Sequence, residues 1–272
     1  MGGEKILAGL IAAAGVSWLA ACARDKPITV GSKNFTEQVI LGEIVAQHVS
    51  LRLSQRVDRK LNLGGTLLAH QAMVQGGLDL YPEYTGTALT TILKLPFTSD
   101  PAEALARVRL EYETRFRIYW LDPLGFNNTF AMVIRGPDAR RNKIESLSDA
   151  ARYAAGKEGW RLGVGYEFQQ RPDGLPGLLK TYKLPLKGSP KTMDLGLLYK
   201  ALEQKQVDMV AANATDGQLS AMDVKVLKDD RRYFPPYQAA LTVRADTLAA
   251  HPGLKDALDL LAGKFSDEIM RA

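Results

Sequence analysis

The feature that most constrains this chain is the alternation of short β-like segments with amphipathic helical segments along residues 28–272. The first β-like segment is 28–30. A helix follows it, with Thr36 as the predicted N-cap and Leu41, Ile44 and Val45 at the i, i+3, i+4 spacing. Such alternation predicts an α/β protein. The chain has no internal repeat and no long Pro/Ser linker. Two lobes, if present, must therefore be joined by short segments.

The same patterns predict the elements further along the chain. The predicted strands are 78–81, 130–134, 161–164, 207–211, 224–227 and 240–243. The predicted helices are 66–76, 101–117, 147–155, 195–205 and a helical segment from His251 onward.

Composition excludes several protein classes. Charged residues make up 24% of the chain and the hydrophobic set 46%. These are values of an ordinary folded globule, and they exclude a disordered, fibrous or polytopic membrane protein. One cysteine cannot form an intrachain disulfide, and with three scattered histidines it cannot build a four-ligand zinc site. We therefore expect no metal and no cofactor.

The N-terminus has the features of an export signal. Residues 6–20 carry no charge, and fifteen residues are short for a membrane span but suit a signal h-region. The run ends at Leu19-Ala20-Ala21-Cys22, which resembles a bacterial lipobox. We expect residues 1–21 to be removed and Cys22 to be lipidated, giving a periplasmic or cell-surface lipoprotein held to the membrane only by its lipid. The alternative is a short buried helix that ends in a cysteine.

Motifs of catalysis and of nucleic-acid binding are missing. There is no P-loop, and a dinucleotide fingerprint fails because position 168 is Phe instead of Gly. Glu83, Glu167 and Asp173 could supply carboxylates, but the sequence shows no activated nucleophile, so we expect no enzyme activity. The basic cluster at 52–60 lacks interleaved aromatic residues, which favours a solvated face over a nucleic-acid partner.

Aromatic residues lie beside turn-forming residues in the segments 81–87, 125–130 and 234–237. Aromatic side chains in rigid loops are typical of binding sites. The alternative is that each aromatic residue caps a hydrophobic core. The loop at 171–174 places Arg171 just before a predicted helix, where it either faces a ligand or pairs with Asp173.

Five ordered motifs carry a family resemblance that covers about residues 27–272. The chain resembles the substrate-binding proteins of osmoprotectant ABC importers, which take up glycine betaine, choline or carnitine. The resemblance implies a bilobed, type II periplasmic-binding fold that delivers its ligand to an ABC permease with an ATPase subunit. The motifs are GSKNFTEQ at 31–38, LGGT at 63–66, YPEYTGT at 81–87, RPDG at 171–174 and FPPY at 234–237.

The resemblance also implies the domain organisation. In this family the first lobe takes both ends of the chain and the second lobe takes the middle. Here it implies a first lobe of 27–127 plus 236–272 and a second lobe of 128–235.

The ligand contacts implied by the resemblance include an aromatic cage. Tyr84 and Tyr237 match two cage tyrosines of the family. Phe130 lies where a third tyrosine is usual, and Asn213 lies where a fourth would be. Three further residues match contacts to the ligand carboxylate: Lys33, Thr87 and Arg171.

The chemistry of the ligand explains such a site. A quaternary ammonium has no N–H to donate, so aromatic faces hold it, at about 0.5–2 kcal/mol each. A betaine carboxylate requires basic and hydroxyl partners. We therefore expect an aromatic end and a basic end, with closure of the lobes around the ligand. Asn213 has no aromatic face, which predicts weaker glycine betaine binding or another cation such as ergothioneine. A sensor module with the same ligands is an alternative to import.

Overall fold

A computed structural model describes residues 26–272, and its ten strands form two separate mixed sheets. The first sheet has the order β2-β1-β3-β10-β4. Strand β1 pairs in parallel with β2 and β3, whereas β10 runs antiparallel to β3 and β4. Its strands are β1 (Ile28–Gly31), β2 (Val57–Lys60), β3 (Leu80–Tyr84), β4 (Ile118–Asn127) and β10 (Gln238–Arg244). We call the part of the chain around this sheet lobe 1.

The second sheet has the order β7-β6-β8-β5-β9 and defines lobe 2. Strand β6 pairs in parallel with β7 and β8, and β5 runs antiparallel to β8 and β9. Its strands are β5 (Phe130–Arg135), β6 (Leu162–Val164), β7 (Lys191–Thr192), β8 (Met209–Asn213) and β9 (Val224–Val226). Two sheets built in this way confirm the predicted α/β class.

Helices cover the faces of both sheets. Strand β3 is buried along its whole length, as expected for a central strand with helices on both sides. In lobe 1 the helices are α1 (Thr36–Leu53), α2 (Thr66–Val74), α3 (Thr85–Thr87) with a π-helical turn (Ala88–Ile92), α4 (Pro101–Phe116), α11 (Ala245–Ala250), α12 (Leu254–Asp259) and α13 (Asp267–Arg271). In lobe 2 they are α5 (Gly136–Asn142), α6 (Leu147–Ala154), α7 (Tyr166–Gln170), α8 (Leu175–Tyr182), α9 (Leu195–Glu203) and α10 (Gln218–Ala221).

Local sequence sets several helix boundaries. Helix α4 begins where the Asp100 side chain accepts hydrogen bonds from two backbone amides, with Pro101 at the first helical position. Helix α6 begins with a capping box in which Ser146 and Asp149 satisfy each other's backbone amides. Within residues 26–272, no helix combines the length and the hydropathy needed to cross a bilayer. The predicted export signal and Cys22 lie outside the described residues.

The two lobes share part of their packing. Each lobe has its own buried hydrophobic clusters. Phe130 and Phe234 are partly buried and pack against a cluster of lobe 1 and a cluster of lobe 2 at once. Both residues lie where the chain crosses between the two sheets, so the crossing segments are part of the core.

The element prediction is wrong in several details, and it also missed strands β2 and β7. Thr36 is not the N-cap of α1, because Phe35 holds the extended N-cap conformation and Thr36 is already helical. The helical segment predicted from His251 onward begins later, because α11 ends before His251 and Pro252-Gly253 separates it from α12. The ten-residue strand β4 was not predicted, because Pro123 and Gly125 interrupt its pattern.

Candidate functional site

A cavity of about 690 Å³ lies between the two lobes. It forms near the carboxyl ends of β1, β3 and β8, which is where α/β folds place their ligand sites. All seven predicted ligand contacts line it, and their role in binding stays a prediction. They are Lys33, Tyr84, Thr87, Phe130, Arg171, Asn213 and Tyr237.

Lys33, just after β1, is a buried ammonium with its own counter-ion. Its Nζ lies 2.5 Å from the Glu83 Oε1 and 3.1 Å from the Thr66 Oγ1. The same Nζ lies 5.1 Å from the ring centroid of Tyr84, within the range of a cation–π contact. Lys33 thus presents a positive charge to the cavity, and Glu83 already neutralises that charge.

Arg171 is likewise paired. Its Nε and Nη2 donate to the two carboxylate oxygens of Asp173 at 2.9 and 2.6 Å, and its Nη1 donates to the Thr87 Oγ1 at 3.1 Å. Burial alone would lower the pKa of Arg171, but the Asp173 carboxylate raises it above its ordinary value. The Arg171–Asp173 pair that the sequence left open as an alternative is therefore present.

The predicted separation into an aromatic end and a basic end is wrong. The rings of Phe130 and Tyr237 lie 5.6 Å apart in an edge-to-face arrangement, and the guanidinium carbon of Arg171 lies 5.1 and 5.7 Å from their centroids. A planar, weakly hydrated guanidinium packs readily against aromatic rings. The positive group therefore lies beside the aromatic group and not across the cavity from it.

Tyr84 and Tyr237 combine core packing with polar partners. Both rings belong to the buried cluster of lobe 1, so the alternative that they cap a core also describes them. The Tyr237 hydroxyl donates to Asp173 at 2.6 Å, and the Tyr84 hydroxyl donates to Glu37 at 2.5 Å. These bonds fix the orientation of both rings.

Glu37 is a buried carboxylate behind the cavity lining that sequence reasoning missed. It accepts hydrogen bonds from the Tyr84 hydroxyl, from the Asn128 side-chain amide at 2.8 Å and from the Thr215 hydroxyl of lobe 2. Burial raises the pKa of Glu37, although the three hydrogen bonds act in the opposite direction. Its place in the GSKNFTEQ motif was the one available signal.

Asn213 ends β8 and lines the cavity with a half-buried amide. Its backbone N–H donates to the Asp216 carboxylate at 3.0 Å, which fixes the local turn. Burial raises the pKa of Asp216. Position 213 thus presents a polar group to the cavity, where the family resemblance leads us to expect a ring.

The cavity is also lined by three aromatic residues that the sequence did not single out: Phe35, Tyr166 and Phe168. Phe35 stacks on Tyr84 with centroids 6.1 Å apart, and Phe168 packs edge-to-face on Phe130 at 4.8 Å. Among the described residues, no group of three or more His, Cys, Asp or Glu side chains is arranged to hold a metal ion. The site is therefore aromatic, with buried ion pairs.

Comparison with known families identifies this arrangement. The model of the OpuAC family, described as the substrate-binding domain of ABC-type glycine betaine transport systems, matches residues 26–272. The chain belongs to the OpuAC family. This confirms the resemblance drawn from the five motifs, and the family is one of transporter substrate-binding domains and not of enzymes.

Two relatives have names that state a ligand. The glycine-betaine-binding protein of Pseudomonas aeruginosa is 34% identical, over 99% of this chain and 88% of its own length. The ergothioneine transport permease/ergothioneine binding protein EgtU of Helicobacter pylori is 34% identical over 91% of this chain. The chain spans only 44% of that second relative.

A solved structure at 30% identity confirms the bilobed fold. The crystal structure of a glycine betaine/carnitine/choline ABC transporter protein aligns with a TM-score of 0.74 and 30% identity. The alignment covers 90% of this chain and 89% of that one. The two sheets of this chain therefore have the arrangement of a periplasmic binding protein.

Proposed function

We propose that this protein binds a quaternary ammonium osmoprotectant such as glycine betaine outside the cytoplasm and delivers it to an ABC permease with its ATPase subunit. The observation that carries the proposal is the meeting of Tyr84, Phe130 and Tyr237 at one cavity. Aromatic faces attract a cation that offers no hydrogen bonds, and they do so at low desolvation cost. Membership of the OpuAC family supports the same role.

The proposed contacts divide by chemistry. The rings of Tyr84, Phe130 and Tyr237 hold the ammonium, with Asn213 beside them. The ligand carboxylate contacts Lys33, Thr87 and Arg171, and both cations lie beside these rings instead of across the cavity. The Arg171 Nη1 and the Thr87 hydroxyl already bond to each other, which gives a ligand carboxylate an ordered pair of groups to meet.

The domain boundaries and the anchor belong to the same proposal. We propose lobes of 27–127 plus 236–272 and of 128–235, since the first sheet draws its strands from Ile28–Asn127 and Gln238–Arg244 and the second from Phe130–Val226. We also propose removal of residues 1–21 and lipidation of Cys22, from the sequence of the N-terminus. The protein catalyses no reaction; a turnover assay that consumes a candidate amine would contradict this.

Ergothioneine is a second candidate ligand. A cavity of about 690 Å³ is typical of drug-sized ligands, which are much larger than glycine betaine. The Asn213 amide can hydrogen-bond a polar group that glycine betaine lacks, and the Helicobacter pylori relative is named for ergothioneine.

Titration calorimetry with glycine betaine, choline, carnitine and ergothioneine tests the proposal. We expect heat of binding for at least one ligand, and four flat traces would contradict the ligand class.

Phe130→Leu keeps apolar volume but removes a ring, so we expect binding to weaken by a factor of about 2 to 30. Phe97→Leu is the matched control, because Phe97 is exposed and does not line the cavity. Equal effects of the two substitutions would exclude Phe130 from the cage.

A further inference from the structure

Glu167 of lobe 2 bonds to the first residue of a helix in lobe 1. Its Oε1 accepts from the Thr66 backbone amide at 2.6 Å, and its Oε2 accepts from the Thr66 hydroxyl at 3.0 Å. Thr66 begins α2, and Glu167 lies in α7. Both residues line the cavity, so this contact bridges the lobes at the place proposed for the ligand.

Helix α2 lacks a cap of its own. Its N-cap residue is Gly65, which has an extended backbone and no side chain to accept from the first amides of the helix. The free amides of a helix N-terminus attract a carboxylate, both through hydrogen bonds and through the helix dipole. Glu167 therefore supplies from lobe 2 the cap that lobe 1 does not contain.

The glycine is matched to this approach. A Cβ at position 65 would lie 2.5 Å from the Glu167 Oε1, which is closer than real Cβ contacts allow. A side chain at position 65 would therefore push the Glu167 carboxylate away from its present place beside the Thr66 amide. The N-cap conformation itself does not require a glycine, because Gly65 has a φ of −75° that any residue adopts.

The contact continues into the predicted ligand site. The Thr66 hydroxyl that donates to Glu167 accepts from the Lys33 Nζ, and that Nζ pairs with Glu83. Burial alone would raise the pKa of Glu167, but the Lys33 charge and the hydrogen bonds from Thr66 together lower it, so Glu167 is an anion at neutral pH. Movement of lobe 2 away from lobe 1 would leave Lys33, Thr66 and the α2 amides without this anion.

We propose that Glu167 is a positioning residue that holds the lobes closed by capping α2 across the cavity, and that it thereby slows ligand release. The part of this inference that concerns ligand release rests on the proposed function. The capping contact itself rests only on the distances between Glu167 and Thr66.

Ligand release measures the proposed role. In Glu167→Ala we expect glycine betaine to dissociate about tenfold faster, the effect of one lost helix cap, with association changed less than about twofold. Glu167→Gln keeps a carbonyl oxygen for the Thr66 amide and should recover most of the slow release. Glu158→Ala is the matched control, because Glu158 is an exposed glutamate of lobe 2 that pairs with Lys187. Equal dissociation rates in the wild type and Glu167→Ala would overturn the proposal.

A cap restored within lobe 1 separates positioning from simple stability. In the Glu167→Ala background, Gly65→Ser supplies a side-chain oxygen to α2 without joining the lobes. We expect this second change to restore the melting temperature and to leave dissociation fast. Restored slow release would mean that Glu167 only stabilises a helix end, and would overturn the proposal.

Amide exchange in the ligand-free protein keeps the inference distinct from the proposed function. We expect the Thr66 amide to exchange faster in Glu167→Ala than in the wild type, and unchanged exchange would contradict the capping contact. If the wild type gives no heat with any of the four ligands, the ligand class proposed above fails. The exchange experiment then still decides whether Glu167 joins the lobes.

Discussion

At the scale of single residues, two buried basic side chains that line the cavity are each paired with a carboxylate of the protein. Lys33 and Arg171 are both buried, and each has a buried carboxylate within hydrogen-bond distance, Glu83 for one and Asp173 for the other. An unpaired buried charge is costly, whereas a paired and hydrogen-bonded one is tolerated. A ligand carboxylate therefore meets groups that are already ordered and neutralised.

Position 213 gives the sharpest residue-scale prediction. Asn213→Tyr adds an aromatic face to the cavity, which is worth about 0.5–2 kcal/mol to a cation. We expect the affinity for glycine betaine and choline, measured by calorimetry, to rise by a factor of about 2 to 30. Asn213→Leu is the control, because it adds apolar surface without a ring. Unchanged affinity in Asn213→Tyr would exclude position 213 from the cage.

Sequence predicted the lining of the cavity better than its internal contacts. Five of the seven predicted residues lie in the five motifs, the family resemblance added Phe130 and Asn213, and all seven line one cavity. The bonds of Glu37 to Thr215 and of Glu167 to Thr66 join residues 178 and 101 positions apart. No local pattern reports such pairs, because they depend on how the two lobes approach each other.

At the scale of elements, α2 packs on α4 through a buried histidine. The ring of His70 lies edge-to-face against Tyr112 at 5.4 Å and Phe116 at 4.7 Å. Burial lowers the pKa of His70 to about 4 from its ordinary 6.5. The folded protein therefore binds this proton less readily than the unfolded chain does. The stability that this gives is complete above pH 6.5 and is lost as the pH falls towards 4.

This packing predicts an acid-sensitive stability. Between pH 6.5 and 4, we expect the free energy of unfolding of the wild type to fall by about 3 kcal/mol more than that of His70→Phe, which keeps the ring but cannot be protonated. Urea unfolding at both pH values measures the difference. His48→Gln is the control for loss of a histidine away from the α2–α4 contact, since the half-buried His48 ring bonds to the Ala257 carbonyl. If the free energy of unfolding falls equally in the wild type and in His70→Phe, His70 is not the source of the acid sensitivity.

Elements with a continuous pattern could be predicted, and those with an interrupted pattern could not. Helix α4 runs from Pro101 to Phe116, within one residue of the prediction, because a strong cap and a periodic apolar face define it. The edge strand β4 contains Pro123 and Gly125, residues that usually mark a turn. At an edge, where one side of the ladder is unpaired, a strand tolerates both.

At the scale of the whole molecule, the segments that cross between the lobes are bonded to each other. The Asn128 backbone N–H donates to the Tyr237 carbonyl at 3.1 Å, and the Tyr237 backbone N–H donates to the Asn127 Oδ1 at 2.6 Å. Phe130 and Phe234 fill the space beside these bonds and touch the cores of both lobes. The crossing segments therefore form one connected unit, which we expect to act as a hinge.

This hinge predicts a coupled effect on stability and shape. Asn127→Ala removes the acceptor of a buried amide, so we expect the free energy of unfolding to fall by about 1–3 kcal/mol. We also expect a larger radius of gyration for the ligand-free variant in small-angle scattering, because the lobes are less tightly joined. Asn127→Asp keeps an oxygen for the Tyr237 amide and should stay near the wild type in both measurements. A destabilised variant with an unchanged radius would show that the bond supports the fold without restraining the hinge.

The internal pairing of Lys33 with Glu83 and of Arg171 with Asp173 has a consequence for the surroundings in which the protein can work. Dissolved ions weaken attractions between exposed charges, but they reach enclosed pairs far less. Recognition inside this cavity should therefore remain nearly constant from dilute medium to brine. That is the condition under which a cell must gather a compatible solute.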